Sequence, residues 1–435
     1  MKTRISFFLI LTISISGLLS FGYSQPTEKT FVYGDLLPDA PELVGRGDYS
    51  VGVQTIDLIH EDQIDILNYG KGPDSLYDRP LKVEVWYPAD ISDQSDELII
   101  YEEVMGNANS PDRPLIPFTF LGRANREADP ALTGGPYPLV IVSHGYTGSR
   151  LLFTYLTENL ASKGYVVVSI DHTESTFRDA AGFNSTLLNR SLDVLFVLNE
   201  IAQLSESNDS FLFGLVNTDL TALIGYSMGG YGVVNVAGAG YSPQATRFFS
   251  SMSGGCTALN KRAVGNPEFE ASIDPRIKAI IAFAPWGMQR AVWNPDGLAG
   301  IKVPSLFIAG SEDDISGYEK GTKALFEGAV NSDRYLLTYV NARHNVAPNP
   351  PPPESLQPGL HIDEYLRYAD SVWDERRINN INQHFVTAFL GIHLKKMDSY
   401  MPYLDVVENS NDENWYGFKP RTSVGLQLQH LVPQQ

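Results

Sequence analysis

Hydrophobic and polar positions follow two different patterns along the chain. The segments Gly47 to Asp57 and LKVEVWYP (residues 81–88) alternate apolar and polar residues, as half-buried strands do. We expect these two segments to pair as an antiparallel edge. From Tyr137 onward, continuous apolar runs alternate with stretches of helical spacing, which is typical of parallel strands buried on both faces. The chain is therefore predicted to be an α/β protein with a mostly parallel central sheet and helices on both faces.

The second part of the chain supplies the elements of this sheet. Six strands are expected at PLVIVSHG, YVVVSIDH, TALIGYS, IKAIIAFAP, PSLFIAGSE and RYLLTYVNA. Helices are expected at residues 150–162, 187–204, 228–237, 318–328 and 378–395. The alternating tail SVGLQLQHL suggests a further edge strand. No linker separates two cores, so residues 25–435 are predicted to form a single domain.

Three long segments interrupt the repeat of strand and helix, near residues 89–136, 239–275 and 345–375. Insertions of this length in a compact domain are usually lids or substrate walls. The last one opens with APNPPPPESLQPG, which fits a stiff, solvated surface loop equally well. Whether the insertions form a mobile lid is left open.

The first 24 residues have the pattern of a cleaved signal peptide. Lys2 and Arg4 precede an apolar stretch from Ile5 to Leu19, and small residues follow. This stretch is short for a membrane span, and no later segment is apolar over about 20 residues. We therefore expect a secreted or periplasmic protein with no stable membrane anchor.

Charge and cysteine content exclude several classes of partner. Asp and Glu number 51 against 32 Lys and Arg, and the formal net charge is −19. Nucleic acid and anionic membranes would repel such a protein. The single cysteine, Cys256, allows neither an internal disulfide nor a cysteine-based metal site. No metal and no cofactor are predicted, and the oligomeric state is open.

The segment ALIGYSMGGYG, residues 222–232, places a serine between glycines. The motif G-x-S-x-G arises by chance in a chain with 37 glycines, so its context decides its meaning. Here Ser227 follows a predicted buried strand and precedes a predicted helix, which is the setting of a nucleophile elbow. Gly225, Gly229 and Gly230 would remove side chains that clash around so tight a turn.

A nucleophilic serine needs a base and an acid, in the chain order Ser, Asp or Glu, His for this type of sheet. Of eight histidines, His344 is the one that follows Ser227 and directly succeeds a buried strand. The preceding strand ends in Glu312, Asp313 and Asp314. We predict Asp313 as the acid, with Asp314 as the alternative.

Ester cleavage also requires amide donors for the developing oxyanion. They are expected from the residue after the nucleophile, Met228, and from the loop after the first buried strand, where Tyr146 lies. Gly145 and Gly148 would allow that loop to turn its amides toward a cavity. His144 is predicted to be a buried structural residue behind it.

With these motifs, the chain from about Val51 to Leu394 resembles secreted serine esterases of the α/β-hydrolase superfamily. It resembles in particular the predicted dienelactone hydrolase and platelet-activating factor acetylhydrolase-like group. The similar segments are SVGVQTIDL, LKVEVWYP, PLVIVSHGYTGSR, LASKGYVVVSIDH, GYSMGGYG and WDERRINNINQHFVTAFLGIHLK. The resemblance implies an α/β-hydrolase fold and a serine carboxylic ester hydrolase for short-chain acyl or acetyl esters of lipids or small molecules.

Two departures from that group point to a second resemblance. Dienelactone hydrolases have a cysteine where this chain has Ser227. Animal-type acetylhydrolases take their acid after the sixth strand, where this chain has Pro285 and Trp286. Polyester-hydrolysing cutinases resemble the chain at GYT, at GYSMGG, at this Pro-Trp pair and at a His-x-x-Ala-Pro-Asn segment. By that likeness Tyr146 and Trp286 would be substrate-binding aromatic walls, although Trp286 could equally be a core residue.

Other functions remain open from the sequence. Polyester hydrolysis is a subordinate version of the esterase hypothesis, and the long insertions argue against an open polymer groove. A binding protein that kept the scaffold without its chemistry is a different class. A peptidase is a third alternative, without a recognisable helical cap or acidic pair for a substrate amine.

Overall fold

The computed structural model describes residues 31–70, 76–91 and 98–434. From Val32 onward these residues form one compact unit. The predicted signal peptide, residues 1–24, lies outside the described residues. Within the described part of the chain, no helix is both long enough and apolar enough to cross a bilayer.

The described residues form one large sheet and one separate hairpin. The strands are β1 (Ser50–Ile64), β2 (Leu76–Ala89), β3 (Ile99–Met105), β4 (Ile116–Gly122), β5 (Asn125–Arg126), β6 (Tyr137–Ser143), β7 (Val166–Asp171), β8 (Val216–Tyr226), β9 (Ile277–Phe283), β10 (Ser305–Gly310), β11 (Arg334–Tyr339) and β12 (Leu426–Leu431). The large sheet has the order β12-β11-β10-β9-β8-β6-β7-β2-β1-β5, and β3 pairs with β4.

Strand directions agree with the sequence patterns. Strands β6 to β11 run parallel to one another, as their continuous apolar runs predicted. Strands β1 and β2 form the predicted antiparallel pair, and β12 closes the opposite edge antiparallel to β11. Strand β1 is longer than expected because its pairing with β2 continues past a bulge into an exposed, polar outer half.

Helices cover both faces of the sheet. The α-helices are α1 (Thr154–Ser162), α2 (Phe183–Glu206), α3 (Met228–Val236), α4 (Pro243–Met252), α5 (Pro267–Ala271), α6 (Pro295–Leu298), α7 (Lys323–Gly328), α8 (Ile362–Leu366) and α9 (Glu375–Lys395). Short 3-10 helices lie at Glu42–Val44, Ala258–Arg262, Met288–Arg290, Pro353–Leu356 and Asp398–Tyr403, and a π-helical turn lies at Tyr318–Thr322. The helix predicted at 318–328 is broken at Gly321, whose φ and ψ of −112° and −108° are not helical.

Two hydrophobic layers explain the uninterrupted apolar strands. On one face, α1 and α9 pack over alternate strand residues such as Val140 and Val142. On the other face, α2 and α3 pack over the intervening residues, such as Leu139 and Ile141. Because each central strand is buried on both sides, most positions along it are apolar, and the two-residue period disappears from the sequence.

The first and third insertions pack against each other. Arg113, at the tip of the β3–β4 hairpin, pairs with Asp363 at 3.1 Å and with Glu364 at 2.6 Å on α8. The rings of Phe118 on β4 and Tyr368 after α8 meet edge to face, with centroids 6.1 Å apart. These contacts link two segments that the sequence separates by about half the chain.

A buried polar network crosses the sheet beneath α2. The carboxylate of Asp193 accepts hydrogen bonds from Arg79 Nε and Nη2, at 2.9 and 3.1 Å, and lies 2.9 Å from His172 Nδ1. His172 Nε2 lies 2.8 Å from Ser143 Oγ. Burial opposes the charge of Asp193, but the Arg79 guanidinium outweighs it and holds the pKa of this carboxyl below its usual range. Burial lowers the pKa of His172 to about 3, so its imidazole is neutral.

We predict that Asp193→Asn lowers the free energy of unfolding by about 3–5 kcal/mol, because it removes the fully buried partner of Arg79 and leaves this buried guanidinium only the partly exposed Glu174 carboxylate, at 3.3 Å. Guanidinium chloride unfolding of the purified variant measures this loss. Glu319→Gln is the matched control, since Glu319 forms an exposed pair with Lys323 that should contribute less than about 0.5 kcal/mol. Equal losses in the two variants would contradict the prediction.

Candidate active site

Ser227 occupies a strained turn between β8 and α3. Its φ of 52° and ψ of −112° lie outside the regions that a serine normally adopts. The surrounding backbone fixes this geometry: the Ser227 amide donates to the Phe283 carbonyl at 2.9 Å. The Ser227 carbonyl accepts from the amides of Tyr231 and Trp286, both at 3.0 Å. The predicted nucleophile therefore sits where its side chain projects beyond the end of the strand.

Close backbone contacts explain the glycines around this turn. A Cβ on Gly229 would lie 1.9 Å from the carbonyl oxygen of Ser143, at the end of β6. A Cβ on Gly225 would lie 2.3 Å from the carbonyl oxygen of Gly229, and one on Gly230 would lie 2.7 Å from Cα of Pro285. Helix α3 thus starts in direct backbone contact with the neighbouring strands, which no larger residue at these positions would permit.

The structure brings Ser227, His344 and Asp313 together from three separate loops. His344 Nε2 lies 3.1 Å from Ser227 Oγ, and His344 Nδ1 lies 3.0 Å from each carboxylate oxygen of Asp313. Asp313 follows β10 and His344 follows β11, so both lie at the same edge of the sheet as Ser227. Such a relay can pass a proton from the hydroxyl to the imidazole while the carboxylate stabilises the resulting cation.

Asp313 and its neighbour Asp314 have different surroundings. Asp313 Oδ1 accepts hydrogen bonds from the amides of Ile315 and Ser316, both at 2.9 Å, and its side chain is fully buried. Burial opposes its charge, but His344 and these amides outweigh burial and hold the pKa of Asp313 below its usual value. The side chain of Asp314 is 44% exposed and pairs with Arg343. Asp313 therefore has the geometry expected of the acid, and Asp314 does not.

A cavity of about 310 Å³ opens onto Ser227. The loop after β6 forms one wall of it through Gly145, Tyr146 and Thr147. The third insertion contributes a large part of the remainder, namely Asp363, Leu366, Arg367, Ala369, Asp370 and Ser371. This insertion, which the sequence left undecided between a lid and a solvated loop, is therefore a wall of the cavity in this structure.

Two arginines hold the loop that carries Tyr146. Arg190 on α2 donates hydrogen bonds to the carbonyls of His144 and Gly145, the latter at 3.3 Å. Arg367 donates from Nη1 to the carbonyls of Tyr146 and Thr147, at 3.3 and 3.2 Å. Because a trans peptide points its N–H opposite to its carbonyl, the Tyr146 amide points away from Arg190. Met228 is the first residue of α3, where the helix leaves amide groups without partners of its own.

His144 lies behind this loop, as the sequence predicted. Its ring is completely buried, and its Nε2 accepts a hydrogen bond from the His172 amide at 3.2 Å. Burial and the charge of Arg190 lower its pKa well below the usual value, which keeps the ring neutral. His144 therefore acts as packing and hydrogen-bonding support for the loop.

The two predicted aromatic walls lie on different cavities. Tyr146 lines the Ser227 cavity, whereas Trp286 lines a neighbouring one. The ring of Phe183 stands between them, with centroids 5.5 Å from Tyr146 and 5.3 Å from Trp286, edge to face in both cases. Trp286 is half-buried, so it is not a pure core residue. It also does not line the cavity at Ser227.

A second set of Ser, His and Asp side chains lies deeper in the protein. Ser143, His172 and Asp193 are connected in the same order as a catalytic relay, but all three are buried away from solvent. No substrate can reach them in this arrangement. Among the residues that the structure describes, no group of three or more His, Cys, Asp or Glu side chains is placed to hold a metal ion.

Sequence reasoning missed Arg190 and Arg367. Arg190 and Asp193 had a detectable signal, because both are charged residues on the apolar side of the predicted helix LLNRSLDVLF. Arg367 had none: its partner Thr147 lies 220 residues earlier, and nothing in the 345–375 segment distinguishes it from a solvated arginine.

Comparison with known proteins shows similarity to several ester hydrolases. Residues 126–247 match the PETase family model, described as PET hydrolase-like. Cutinase est1 of Thermobifida alba is 26% identical over 49% of this chain and 55% of its own length. Cutinase 2 of Thermobifida cellulosilytica is 24% identical over 49% of this chain and 63% of its length. Platelet-activating factor acetylhydrolase of Canis lupus familiaris is 28% identical over 30% of this chain and 28% of its length.

The chain spans less than two thirds of the length of each of these relatives. A solved structure, ferulic acid esterase from Streptomyces cinnamoneus, covers 82% of this chain and 94% of its own at a TM-score of 0.51 and 19% identity. That likeness concerns the fold. The chain has the α/β-hydrolase fold, and its predicted resemblance to acetylhydrolases and cutinases is confirmed.

We predict that Gly229→Ala destabilises the protein by about 1–3 kcal/mol, because the new methyl group must push α3 away from β6. Urea unfolding measures the effect. Gly45→Ala is the control, since a Cβ there has no atom within 4 Å and should change stability by less than about 0.5 kcal/mol. A Gly229→Ala protein as stable as the parent would show that the elbow does not require this contact.

Proposed function

We propose that this protein is a serine carboxylic ester hydrolase that acts through an acyl-enzyme. The observation that carries the proposal is the relay of Ser227 Oγ, His344 Nε2 and Asp313, with separations of 3.1 and 3.0 Å at the floor of an open cavity. The cutinase and acetylhydrolase relatives support the same reaction class. No cofactor enters the mechanism.

In the proposed reaction, Ser227 Oγ attacks the ester carbonyl carbon while His344 Nε2 takes the hydroxyl proton. Ionised Asp313 keeps the imidazole in the required tautomer and stabilises its cation. The amides of Tyr146 and Met228 donate to the oxyanion. His344 then gives its proton to the oxygen of the departing alcohol. The acyl group stays bonded to Ser227. A water molecule, deprotonated by His344, then attacks the acyl carbon, and His344 returns the proton to Ser227 Oγ as the bond to the acyl group breaks and the carboxylic acid leaves.

Short-chain acyl or acetyl esters, on lipids or small molecules, are the proposed substrates. The third insertion walls the Ser227 cavity, where its Leu366 and Arg367 line the space together with the loop of Tyr146. Such walls favour a small acyl group over a long polymer strand. Polyester hydrolysis remains the second candidate, because the PET hydrolase-like family model matches residues 126–247, which include the elbow.

We also propose that the protein is secreted or periplasmic. This proposal rests on Lys2, Arg4 and the apolar stretch that follows them, together with the small residues before Gln25. Expression of the full chain followed by N-terminal sequencing of the extracellular or periplasmic fraction tests it. A protein retained in the cytoplasm with its N-terminus intact would overturn it.

Covalent labelling separates the enzyme from a binding protein of the same fold. We expect a fluorophosphonate probe to label the folded protein at Ser227 and to leave Ser227→Ala unlabelled. Both Ser227→Ala and His344→Ala should reduce turnover of p-nitrophenyl acetate by at least about 10³-fold. Circular dichroism controls for folding. A folded parent protein that takes up no probe would favour the binding protein.

The choice between the two aspartates has a separate test. Asp313→Asn should lower kcat by about 10³–10⁴-fold, because an amide at this position does not stabilise the imidazolium and favours the wrong tautomer. Asp314→Asn removes a half-exposed partner of Arg343 and should cost far less. Steady-state kinetics of both variants with p-nitrophenyl acetate gives the ranking. The reverse order would show that Asp313 is not the acid.

A further inference from the structure

Arg367 brings a positive charge to the wall of the Ser227 cavity. Its Nη1 donates to the carbonyl oxygens of Tyr146 and Thr147, at 3.3 and 3.2 Å. A guanidinium stays protonated at neutral pH, and carbonyl oxygens carry only partial charge, so these two bonds do not neutralise it. Among the residues that the structure describes, no carboxylate lies within ion-pair distance of Arg367.

The acidic side chains near Arg367 are engaged by other partners. Asp363 and Glu364 precede it in the third insertion, and both pair with Arg113, at 3.1 and 2.6 Å. The other two acidic side chains of the cavity lining are held by an arginine and by backbone amides, namely Asp314 and Asp370. The cavity therefore contains one arginine whose counter-charge the described part of the chain does not supply.

Burial makes this missing counter-charge costly. The Nε atom of Arg367 is buried and has no hydrogen-bond partner among the described residues. Burial, together with the nearby charge of Arg113, lowers the pKa of Arg367 from its usual value. Both hydrogen bonds that the guanidinium makes to described residues leave from Nη1, so Nη2 remains able to donate to a ligand. An uncompensated charge in a cleft beside a reactive serine is a candidate ligand contact.

The contact with Tyr146 also limits where such a ligand charge would lie. Arg367 Nη1 is 3.3 Å from the Tyr146 carbonyl oxygen. Standard bond lengths keep a residue's amide nitrogen within about 4 Å of its own carbonyl oxygen, so the guanidinium lies within about 7 Å of the Tyr146 amide. This amide is one of the two proposed oxyanion donors. A charge recognised by Arg367 would therefore be carried close to the ester group.

We propose that Arg367 is a substrate-binding residue that recognises a carboxylate carried by the ester that Ser227 cleaves. The inference rests on the proposed function and adds a substrate class to it: small esters with a carboxylate about three bonds from the reacting carbonyl carbon. A charge-assisted hydrogen bond from the guanidinium would hold this carboxylate. The same contact would give Arg367 the counter-charge that it lacks in the protein.

Two matched pairs of esters test this recognition, because in each pair a neutral acetyl group replaces the carboxylate. Monoethyl succinate and ethyl levulinate differ on the acyl side, and acetoxyacetate and acetoxyacetone differ on the alcohol side. We expect the anionic member of at least one pair to exceed its neutral partner in kcat/KM by at least about tenfold, as a charge-assisted hydrogen bond implies. The pair with the larger ratio identifies the side of the ester that faces Arg367. A smaller ratio in both pairs would overturn the inference.

Variants of Arg367 assign the preference to its charge. Arg367→Met keeps a long side chain without the charge and should lower the ratio of anionic to neutral ester about tenfold. Arg367→Lys keeps the charge without the planar guanidinium and should retain part of the ratio. Loss of support for the loop of Tyr146 would reduce kcat/KM for both members of a pair equally. A ratio that stays unchanged in folded Arg367→Met would therefore overturn the inference.

A further variant leaves Arg367 in place, in case its replacement prevents folding. Arg113→Met frees Asp363 and Glu364 to supply a counter-charge from within the protein, and should lower the ratio at least about threefold. If Arg367→Met does not fold, an unchanged ratio in Arg113→Met would overturn the inference.

Arg247→Met is the matched control for loss of an arginine. Arg247 is an exposed residue of α4, in the second insertion, which lines the neighbouring cavity of Trp286 instead of the Ser227 cavity. This variant should leave the ratio of anionic to neutral ester unchanged. An equal fall of the ratio in Arg247→Met and Arg367→Met would show that net charge, and not the cavity arginine, sets the preference, and would overturn the inference.

A binding measurement separates failure of this inference from failure of the proposed function. In the Ser227→Ala background, calorimetry should show that the anionic member of one pair binds at least about tenfold more tightly than the neutral member. The added Arg367→Met substitution should remove the difference. Such binding without ester hydrolysis by the parent protein would remove the proposed function and keep Arg367 as a carboxylate-binding residue. Hydrolysis of the neutral esters with equal binding within both pairs would remove only the inference.

Discussion

The strained backbone of Ser227 is the constraint on which the rest of the site depends. A serine with positive φ at the end of a buried strand persists only if its surroundings hold it. Here the Phe283 carbonyl and the amides of Tyr231 and Trp286 do so, and the contact between Gly229 and Ser143 brings α3 against β6. Because β8 lies between β6 and β9 in the sheet, the neighbouring strand ends surround the serine hydroxyl. The turn therefore positions the proposed nucleophile against the loop of Tyr146.

The other groups of the site are held by elements outside the elbow. His344 and Asp313 follow adjacent parallel strands, and His344 together with the amides of Ile315 and Ser316 holds the pKa of the Asp313 carboxyl below its usual value. Arg190 and Arg367 fix the loop of Tyr146 from two sides, one from a helix of the scaffold and one from the third insertion. This insertion thus both walls the Ser227 cavity and supports the proposed oxyanion loop. The second insertion walls the neighbouring cavity instead.

Short sequence patterns predicted the features of the site that depend on residues close together in the chain. The run TALIGYS followed by glycines was sufficient to place Ser227 between β8 and α3, and the chain order of acid and base led to Asp313 and His344, which the structure brings into contact. The break at Gly321 and the outer half of β1 depend on neighbours in space, and the sequence did not predict them. The same holds for Arg367, whose partners are more than two hundred residues away, and for Trp286, which faces a cavity built by a separate insertion.

A crystal structure of the protein after reaction with a small alkyl fluorophosphonate tests the central claim most directly. The account predicts phosphorus bonded to Ser227 Oγ, with the phosphonyl oxygen about 2.7–3.1 Å from the amides of Tyr146 and Met228. His344 Nε2 should lie within hydrogen-bond distance of the remaining ester oxygen or Oγ. A phosphonyl group on another residue, or one on Ser227 whose oxygen points away from both amides, would contradict the account.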